Sequence, residues 1–380
     1  MILPNQRHLF DIPDDVAYLN CGYMSPLLRA VGAAGEAGLA RKAHPWKITP
    51  RDFFSGSDAL RATFAALINA RSDDIALVPA AGYGLSTAAH NLPLARGQNV
   101  LVVEEQFPSN VYPWRERARE VGAEIRTVAR PREAAWTEAV LNAIDPNTAV
   151  VALPHCHWTD GALFDIERIG AACRDNGSAF VLDVTQSLGV LPLDVQKVQP
   201  DFLCAAAYKW LMGPYATGYL YVSERWQQEG RPIEHNWIHR RNAEDFARLV
   251  DYQDEFEPGA RRFDVGERSN FALVPAAEAG LRQILEWGVE NIRDSLEALA
   301  DRIVAGVKPL GLTVLPKDQR AAHFLGLRRP KGLPPDLLPE LMRKQVFVSL
   351  RGASIRVTPH LYNTEADIER FEQALQAVLV

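Results

Sequence analysis

The stretch AFVLDVTQSLGVLPLDVQKVQPDFLCAAAYKWLMGPYATGYLYV, residues 179–222, decides the fold class. It contains three short apolar runs, Ala179–Asp183, Phe202–Ala206 and Gly218–Val222, with turn-forming residues between them. Short apolar runs bounded by turn signals are typical of strands in a buried sheet. The stretch therefore predicts three buried strands, with an acidic residue closing the first and Lys209 just beyond the second.

Upstream of this stretch, four more apolar runs alternate with helical patterns. The runs are Ile75–Val78, Val100–Glu104, Glu124–Val128 and Ala149–Leu153. A helical pattern such as Asp165–Asn176 ends at a glycine, as helices commonly do. Alternation of strands and helices favours a parallel sheet covered on both faces. The sequence predicts an α/β fold with a seven-stranded, mostly parallel sheet.

The C-terminal part of the chain predicts a second, smaller unit. A long helical pattern over residues 275–307 leads into four strand patterns and a closing helix. These are the strands Thr313–Leu315, Ala322–Leu327, Val346–Leu350 and Ser354–Val357 and the helix Glu365–Leu379. We expect a large α/β domain over residues 15–270 and a small α+β domain over residues 271–380, to which residues 1–14 also belong.

Two segments of the expected large domain depart from the alternation. Ser25-Pro26 is typical of an N-cap followed by proline in the first helical turn, and predicts a helix through about Ala40. The charged, irregular segment Trp226–Glu257 predicts an excursion away from the sheet.

Composition limits the classes of function. The chain has 380 residues, a net charge of −6 and no block of lysine or arginine, which argues against nucleic acid as a partner. No apolar run is long enough to span a membrane, and the N-terminus lacks the apolar core of a signal peptide. The four cysteines, Cys21, Cys156, Cys173 and Cys204, show neither disulfide nor zinc spacing. We expect a cytoplasmic protein with no membrane partner.

Three strand ends carry residues that a sheet alone does not need. In open α/β sheets, ligands bind beyond the carboxyl ends of the strands. Asp183 closes one strand, where a buried carboxylate is costly without a partner. Lys209 follows another strand between aromatic residues, where loss of hydration would lower its pKa and suit it to form a Schiff base. Pro79–Ser86 supplies small residues between a strand and a helix, which lets backbone N–H groups close around an anion.

Each feature alone has an ordinary structural explanation. A helix cap would explain Asp183, a surface position would explain Lys209, and a tight turn would explain residues 80–84. Together they supply a carboxylate, an amine and an anion site, which are the groups that pyridoxal 5′-phosphate (PLP) requires. The sequence thus predicts that Lys209 holds PLP and that Asp183 pairs with its ring nitrogen. The predicted phosphate loop contains Ala81, Gly82 and Tyr83.

The order of phosphate loop, aspartate and lysine is that of fold-type I PLP enzymes. The chain resembles the class V aminotransferase group, which includes cysteine desulfurases, kynureninases and isopenicillin N epimerase-like proteins. The resemblance runs from Tyr18 to Thr364. Asp183–Gln186 resembles the D-x-x-Q motif of this family, Phe107–Asn110 is similar to the kynureninase F-P-S-D, and Tyr208-Lys209 resembles the kynureninase Tyr-Lys pair.

The resemblance implies a role for each matching residue. It implies that Gln186 contacts the phenolic oxygen of PLP, that Phe107 stacks on the ring and that Tyr208 contacts the phosphate. Arg356 matches the family arginine that grips the α-carboxylate of a small amino-acid substrate, a task suited to a bidentate guanidinium. Asn20 and Tyr23 are the other expected substrate-binding residues.

The sequence departs from the family near the phosphate. The family usually has a serine two or three residues before the lysine, where this chain has Ala206 and Ala207. Tyr83 and Tyr208 are candidates to replace that contact. An asparagine common after the preceding strand is replaced by Trp158.

The resemblance also implies a homodimer. Relatives complete the phosphate site with a Gly-Thr pair from the partner subunit. The segment Gly266-Glu267-Arg268 stands at this place, with Glu267 in the position of the threonine. The sequence therefore gives less support to the contact from the partner subunit than to the rest of the expected site.

The resemblance favours the function of a class V aminotransferase. The alternative is a lyase or epimerase, which Phe107 and Tyr208 favour. Cysteine desulfurases carry a mobile cysteine in the C-terminal domain, but this chain has no cysteine after Cys204. A PLP-binding protein without catalysis would not need Arg356.

A metalloenzyme is a further alternative. His155, His157 and Asp160 cluster, and His235 and His239 have the i, i+4 spacing of helical metal ligands. We expect no metal.

Overall fold

The computed structural model describes residues 1–131 and 135–379. Its strands are β1 (Ala17–Tyr18), β2 (Ile75–Val78), β3 (Asn99–Val103), β4 (Glu124–Val128), β5 (Thr148–Pro154), β6 (Ala179–Asp183), β7 (Phe202–Ala206), β8 (Gly218–Val222), β9 (Leu325–Leu327), β10 (Val346–Phe347), β11 (Ser349–Arg351) and β12 (Ser354–Val357). Its α-helices are α1 (Arg29–Ala40), α2 (Asp52–Leu67), α3 (Ala81–Asn91), α4 (Tyr112–Val121), α5 (Trp136–Ala143), α6 (Ile166–Asn176), α7 (Val195–Val198), α8 (Glu224–Glu229), α9 (Leu273–Trp287), α10 (Val289–Val307), α11 (Leu337–Arg343) and α12 (Glu365–Leu379).

Seven strands form the large sheet in the order β2-β8-β7-β6-β5-β3-β4. All pairings from β7 through β4 are parallel, and β8 runs antiparallel to both of its neighbours. The predicted α/β fold with a seven-stranded, mostly parallel sheet is confirmed. Because β2 and β7 both run against β8, the carboxyl ends of β2, β3, β5, β6 and β7 lie at the same edge.

Apolar layers cover both faces of this sheet. On one face, Leu60 of α2 and Ile169 of α6 belong to the main core, and on the other, Leu85 of α3 and Trp114 of α4 form a second core. Strands β6, β7 and β8 are buried on both faces, which explains why their sequences are continuous apolar runs rather than alternating ones.

Two smaller sheets lie in the C-terminal part. Strands β11, β12 and β9 form an antiparallel sheet in that order, and β1 pairs in parallel with β10. The β1–β10 pair joins the start of the chain to its C-terminal part. The domain boundaries at residues 15 and 270 stay a prediction.

Four local predictions were wrong. Val346–Leu350 is not one strand but parts of two, β10 and β11, which belong to different sheets. Helix α1 begins at Arg29 rather than after Ser25, because the backbone N–H of Ser25 donates to the carbonyl of Tyr208 at 3.0 Å instead of opening a helix. The long helix expected over 275–307 is two helices, broken at Gly288, whose φ of +78° a helix cannot accommodate. Thr313–Leu315 contributes a single bridge, from Thr313 to Arg328, rather than a strand.

The segment 226–257 is irregular, as expected, apart from the end of α8 and two short 3₁₀ turns. No helix in the described ranges is both long and apolar enough to cross a membrane.

Candidate active site

A cavity of about 280 Å³ opens at the carboxyl edge of the large sheet. Its volume is at the small end of the range of ligand sites. Seven of the predicted site residues line it: Ala81, Gly82, Phe107, Asp183, Gln186, Tyr208 and Lys209. They lie at or just after the carboxyl ends of β2, β3, β6 and β7, and these four ends share one edge of the sheet.

Lys209 lies in the turn after β7 and is 7% exposed. Its Nζ is 5.5 Å from the ring centroid of Phe107 and 5.5 Å from that of Tyr208. Burial, aided by the positive charge of Arg356, lowers the pKa of Lys209 to about 8. An amine with a pKa this low is partly neutral near physiological pH, which is the form that attacks a carbonyl carbon.

Asp183 ends β6 and is 8% exposed. One carboxylate oxygen accepts the backbone N–H of Thr185 at 3.0 Å. Burial raises the pKa of Asp183 despite that hydrogen bond and the charge of Lys209. No lysine, arginine or histidine nitrogen of the described residues forms an ion pair with it. The site therefore offers a buried carboxylate to a cationic group of a ligand.

The N-terminus of α3 faces the same cavity. The helix begins at Ala81, and its first N–H groups have no acceptors within the helix, so they favour an anion. Gly84 allows the helix to lie against β7, because a Cβ there would come within 2.7 Å of the sulfur of Cys204. Ser109 approaches from the facing loop, 3.6 Å from the position a Cβ on Gly82 would take.

Two predicted cofactor contacts have other partners. The Gln186 side chain donates to the carbonyl of Gly22 at 3.0 Å and accepts the indole N–H of Trp210 at 3.0 Å. Its amide thus fixes the loop after β1 against the cavity. Tyr83 is not among the residues that line the cavity; burial and a hydrogen bond to Glu234 raise its pKa. Of the two tyrosines that could replace the missing serine contact, Tyr208 lies at the cavity wall and Tyr83 does not.

Arg356 is 1% exposed and is not among the residues that line the cavity, but it contacts Trp158 of the cavity wall. Its Nε donates to the hydroxyl of Ser349 at 3.0 Å and its Nη1 donates to the carbonyl of Trp158 at 3.2 Å. The Ser349 hydroxyl in turn donates to the side-chain oxygen of Asn20 at 3.0 Å. Asn20 therefore contacts Arg356 through one serine, and the three form a continuous hydrogen-bonded chain.

Tyr23 does not line the cavity. Its side chain is 53% exposed and lies in a shallow surface hollow with Tyr18 and Met24. Of the three predicted substrate-binding residues, Asn20 and Arg356 come together and Tyr23 stands outside.

Several lining residues were not among the predicted site residues. Asn110 is fully buried; its side-chain oxygen accepts the indole N–H of Trp114 at 3.0 Å, and its amide nitrogen has no protein partner. The ring of Trp158 packs edge-on against Phe107, with 5.3 Å between centroids. Thr185 and Tyr215 also line the cavity. Most of these residues follow the ends of β3, β5, β6 and β7, so applying the strand-end rule to every parallel strand would have found them.

The metal alternative is not supported. The described residues contain no group of three or more His, Cys, Asp or Glu side chains that could hold a metal ion. Both ring nitrogens of His157 are engaged, one with the Thr159 hydroxyl at 2.8 Å and the other with the Glu104 carbonyl at 3.1 Å. His235 lies outside the 3₁₀ turn Trp237–His239, so the helical spacing predicted for it and His239 was wrong.

The residues present fit a cofactor with an anionic end, an aromatic ring carrying a basic nitrogen, and an aldehyde. The helix terminus, the buried Asp183 and the desolvated Lys209 line one cavity, and each has the chemistry that complements one of these groups. The fold and this cavity define a PLP-dependent enzyme of fold type I. The family model "Aminotransferase class-V" matches residues 50–371, and the chain belongs to that family.

Known proteins similar to this chain have differing activities. An uncharacterized aminotransferase of Bacillus subtilis is 28% identical over 359 residues, covering 90% of this chain and 88% of its own. An isopenicillin N epimerase of Streptomyces clavuligerus is 26% identical, covering 96% and 95%. The solved structure of a cysteine desulfurase from Thermococcus onnurineus matches with a TM-score of 0.87 at 20% identity, over 100% of this chain and 99% of its own. The predicted resemblance is confirmed at the level of family and fold.

Proposed function

We propose that this protein acts on the α-amino group of a small amino acid, as an aminotransferase. The observation that carries the proposal is the convergence of Lys209, Asp183 and the N-terminus of α3 on one cavity, with Arg356 hydrogen-bonded to its wall at Trp158. A protein that only stored the cofactor would gain nothing from a buried guanidinium beside it.

The proposed roles follow from position and charge. Lys209 would bind the aldehyde carbon of PLP through Nζ, and the first N–H groups of α3 would hold the phosphate. Asp183 would keep the ring nitrogen protonated by a charge-assisted hydrogen bond, and Phe107 would cover the ring. Bound PLP supplies an electron sink for the electron pair released at the substrate Cα.

The neutral amine of Lys209 is also suited to move a proton. When its amine is not bonded to the cofactor, the lowered pKa of Lys209 would let Nζ accept a proton from the substrate Cα and return it. Arg356 would hold the α-carboxylate so that the Cα–H bond faces Lys209. The closely packed wall of Phe107 and Trp158 would limit water at the reacting carbon.

A lyase or epimerase is the second candidate, because Phe107 and Tyr208, which resemble the kynureninase residues, both flank Lys209. Desulfurase chemistry through a mobile cysteine finds no support: all four cysteines are buried, and burial raises the pKa of each thiol.

A half-reaction screen tests the proposal. Purified protein loaded with PLP is mixed with single amino acids, and loss of its visible absorbance band is followed. Keto acid, inverted isomer, pyruvate and ammonia are then assayed. Keto acid formed in step with loss of the band supports an aminotransferase, whereas inverted isomer or ammonia supports the second candidate. No reaction with any amino acid would overturn the proposal.

We further propose a cytoplasmic homodimer, in which the partner subunit approaches the phosphate through Gly266-Glu267-Arg268. In this segment, the backbone N–H of Gly266 donates to the Glu234 carboxylate at 2.7 Å, and Arg268 pairs with Asp264 at 2.9 Å. Light scattering on active protein tests the dimer, and a fully active monomer would exclude it.

A further inference from the structure

Two arginines share one face of the small antiparallel sheet. In the β11–β12 ladder, Ser349 lies opposite Arg356 and Arg351 lies opposite Ser354. Side chains alternate between the faces of a sheet, so these four residues point the same way. Arg351 and Arg356 are therefore diagonal neighbours, a separation that long side chains readily bridge.

This face contacts the wall of the cavity at Trp158. The guanidinium of Arg356 donates to the Trp158 carbonyl at 3.2 Å, and that of Arg351 lies 5.5 Å from the centroid of the Trp158 ring. Trp158 itself lines the cavity that contains Lys209. Both arginines thus contact Trp158 at the cavity wall, Arg356 through the backbone carbonyl and Arg351 over the ring.

No carboxylate neutralises this arginine pair within the described residues. The hydrogen bonds of Arg356 go to a serine hydroxyl and a carbonyl, and Arg351 donates to the carbonyl of Leu350 at 2.7 Å. Elsewhere the chain balances buried arginines. Arg61 and Arg268 share the buried carboxylate of Asp264.

The uncompensated charge affects the neighbouring groups. Burial and the charge of Arg351 lower the pKa of Arg356 to about 9. Arg351 also contributes to the lowered pKa of Lys209. Arg356 is buried and Arg351 is partly exposed, so the repulsion of Arg356 by Arg351 is a cost to the folded protein that the negative charges of a ligand would relieve.

The α-carboxylate of an amino acid accounts for one of the two guanidinium groups. We propose that the substrate is an amino dicarboxylic acid of the aspartate or glutamate type, with its second carboxylate bound by Arg351 above the Trp158 ring. This inference rests on the proposed function and narrows its substrate class. Stacking on Trp158 would orient the planar guanidinium so that it presents two N–H groups to the carboxylate.

Such a site would select against amino acids with neutral side chains, because these leave the Arg351 guanidinium without a hydrogen-bonding partner. A neutral side chain of the same length would place an amide or methyl group against a guanidinium that has lost water. Discrimination is therefore expected between aspartate and asparagine, and between glutamate and glutamine, whose sizes nearly match.

Equilibrium binding of unreactive acids tests the inference without turnover. The PLP-loaded protein is titrated by calorimetry with succinate and glutarate, and with butyrate and valerate as monocarboxylates of similar length. We expect at least one dicarboxylate to bind about 10–100-fold more tightly than its monocarboxylate partner, the range of one hydrogen bond to a charged group. Arg351→Gln should remove that difference and leave monocarboxylate binding unchanged.

Arg343→Gln is the matched control. Arg343 lies in the same part of the chain, is 66% exposed and pairs with Glu340 on the surface of α11. This variant should keep the preference of the parent protein for dicarboxylates. A reaction screen extends the test to substrates: the protein is mixed with each member of the aspartate–asparagine and glutamate–glutamine pairs, and loss of the visible band is monitored.

The outcomes separate this inference from the proposed function. Equal binding of dicarboxylates and monocarboxylates would overturn the inference, as would an Arg351→Gln variant that weakens both alike, since Arg351 would then serve the α-carboxylate. In either case a visible band that responds to neutral amino acids leaves the proposed function standing. Protein that forms no bond between PLP and Lys209 would overturn the proposed function itself.

Discussion

The two sides of the cavity are built differently. The cofactor side, formed by Lys209, Asp183 and the start of α3, comes from the ends of strands buried in the large sheet. The substrate side, formed by Arg351, Arg356 and Trp158, depends on the short strands β11 and β12 and their contact with one indole. The first is held by the two apolar cores on the faces of the large sheet, whereas the second is held by a separate apolar core that contains Ile355 and Val357 of β12.

The two sides are also incomplete in opposite ways. Within the described residues, the cofactor side has a buried acid without a cation, and the substrate side has two cations without an acid. A buried charge is stable only with a partner. The proposed ligands would supply the complementary charges: a protonated ring nitrogen on one side and carboxylates on the other.

The largest effect is expected from Lys209→Ala on the cofactor side. The variant should lose the covalent bond to PLP, its visible band and at least about 10³-fold of its kcat/KM, because both the attachment point and the proton carrier are gone. Borohydride reduction followed by peptide mapping measures the bond. Lys197→Ala, an exposed lysine of α7, should keep the label. A label on any lysine other than Lys209 would refute the assignment.

Asp183→Asn should have the next largest effect. It should lower the activity of the PLP-loaded protein and raise the stability of the cofactor-free protein. Loaded with PLP, the variant should bind the cofactor but lose roughly 10²-fold or more in kcat, because the ring nitrogen is no longer held protonated.

Without PLP, the same variant should be more stable at neutral pH. Burial raises the pKa of Asp183 above its unfolded value, so its contribution to stability is intact below the unfolded pKa and falls as pH rises through the folded pKa. Asparagine removes that loss, and the melting temperature should rise by about 1–3 °C at pH 7 and not at pH 3. Turnover at the parent rate, or a cofactor-free variant that melts below the parent at pH 7, would contradict the role of a buried acid awaiting a cation.

Arg356→Lys tests the substrate side and should cost about 2–4 kcal/mol in kcat/KM for amino acids. Lysine keeps the charge but not the planar pair of donors, so orientation of the α-carboxylate is lost. The visible band should remain, and simple amines without a carboxylate should be affected far less. If amines and amino acids suffer equally, the α-carboxylate is held elsewhere.

The cofactor side could be predicted from the sequence because its signals are local. β2, β4, β6, β7 and β8 have the predicted bounds, since each is a short apolar or β-branched run between turn residues. Once a parallel sheet is inferred, its carboxyl edge locates Asp183 and Lys209 without knowledge of any contact.

The rest depends on contacts between residues distant in sequence. Ser25 has the signature of a helix cap, but its N–H is taken by Tyr208, 183 residues away. Tyr23 follows the matching segment around Asn20, but the backbone turns its side chain outward. Arg351 looks like an ordinary surface arginine until the pairing of β11 with β12 sets it beside Arg356. No local sequence pattern specifies the register in which β11 and β12 pair.

The smallest predicted effect joins the two sides through charge alone. Burial and nearby positive charge lower the pKa of Lys209 to about 8, so near pH 7 a minority of the protein has the neutral amine that would capture PLP. Arg351 contributes to this lowering, and Arg351→Gln should therefore raise the pKa of Lys209 and reduce the neutral fraction. Capture of PLP by cofactor-free protein, timed by growth of the visible band, should slow by about 2–3-fold at pH 7 and by nothing near pH 10, where the amine is neutral in both proteins. Because Arg351 is partly exposed, the difference should shrink as salt is added. Arg343→Gln should capture PLP at the parent rate throughout. If the parent and Arg351→Gln rates coincide at every pH, the guanidinium lies too far from Lys209 to influence it, and the two sides act independently.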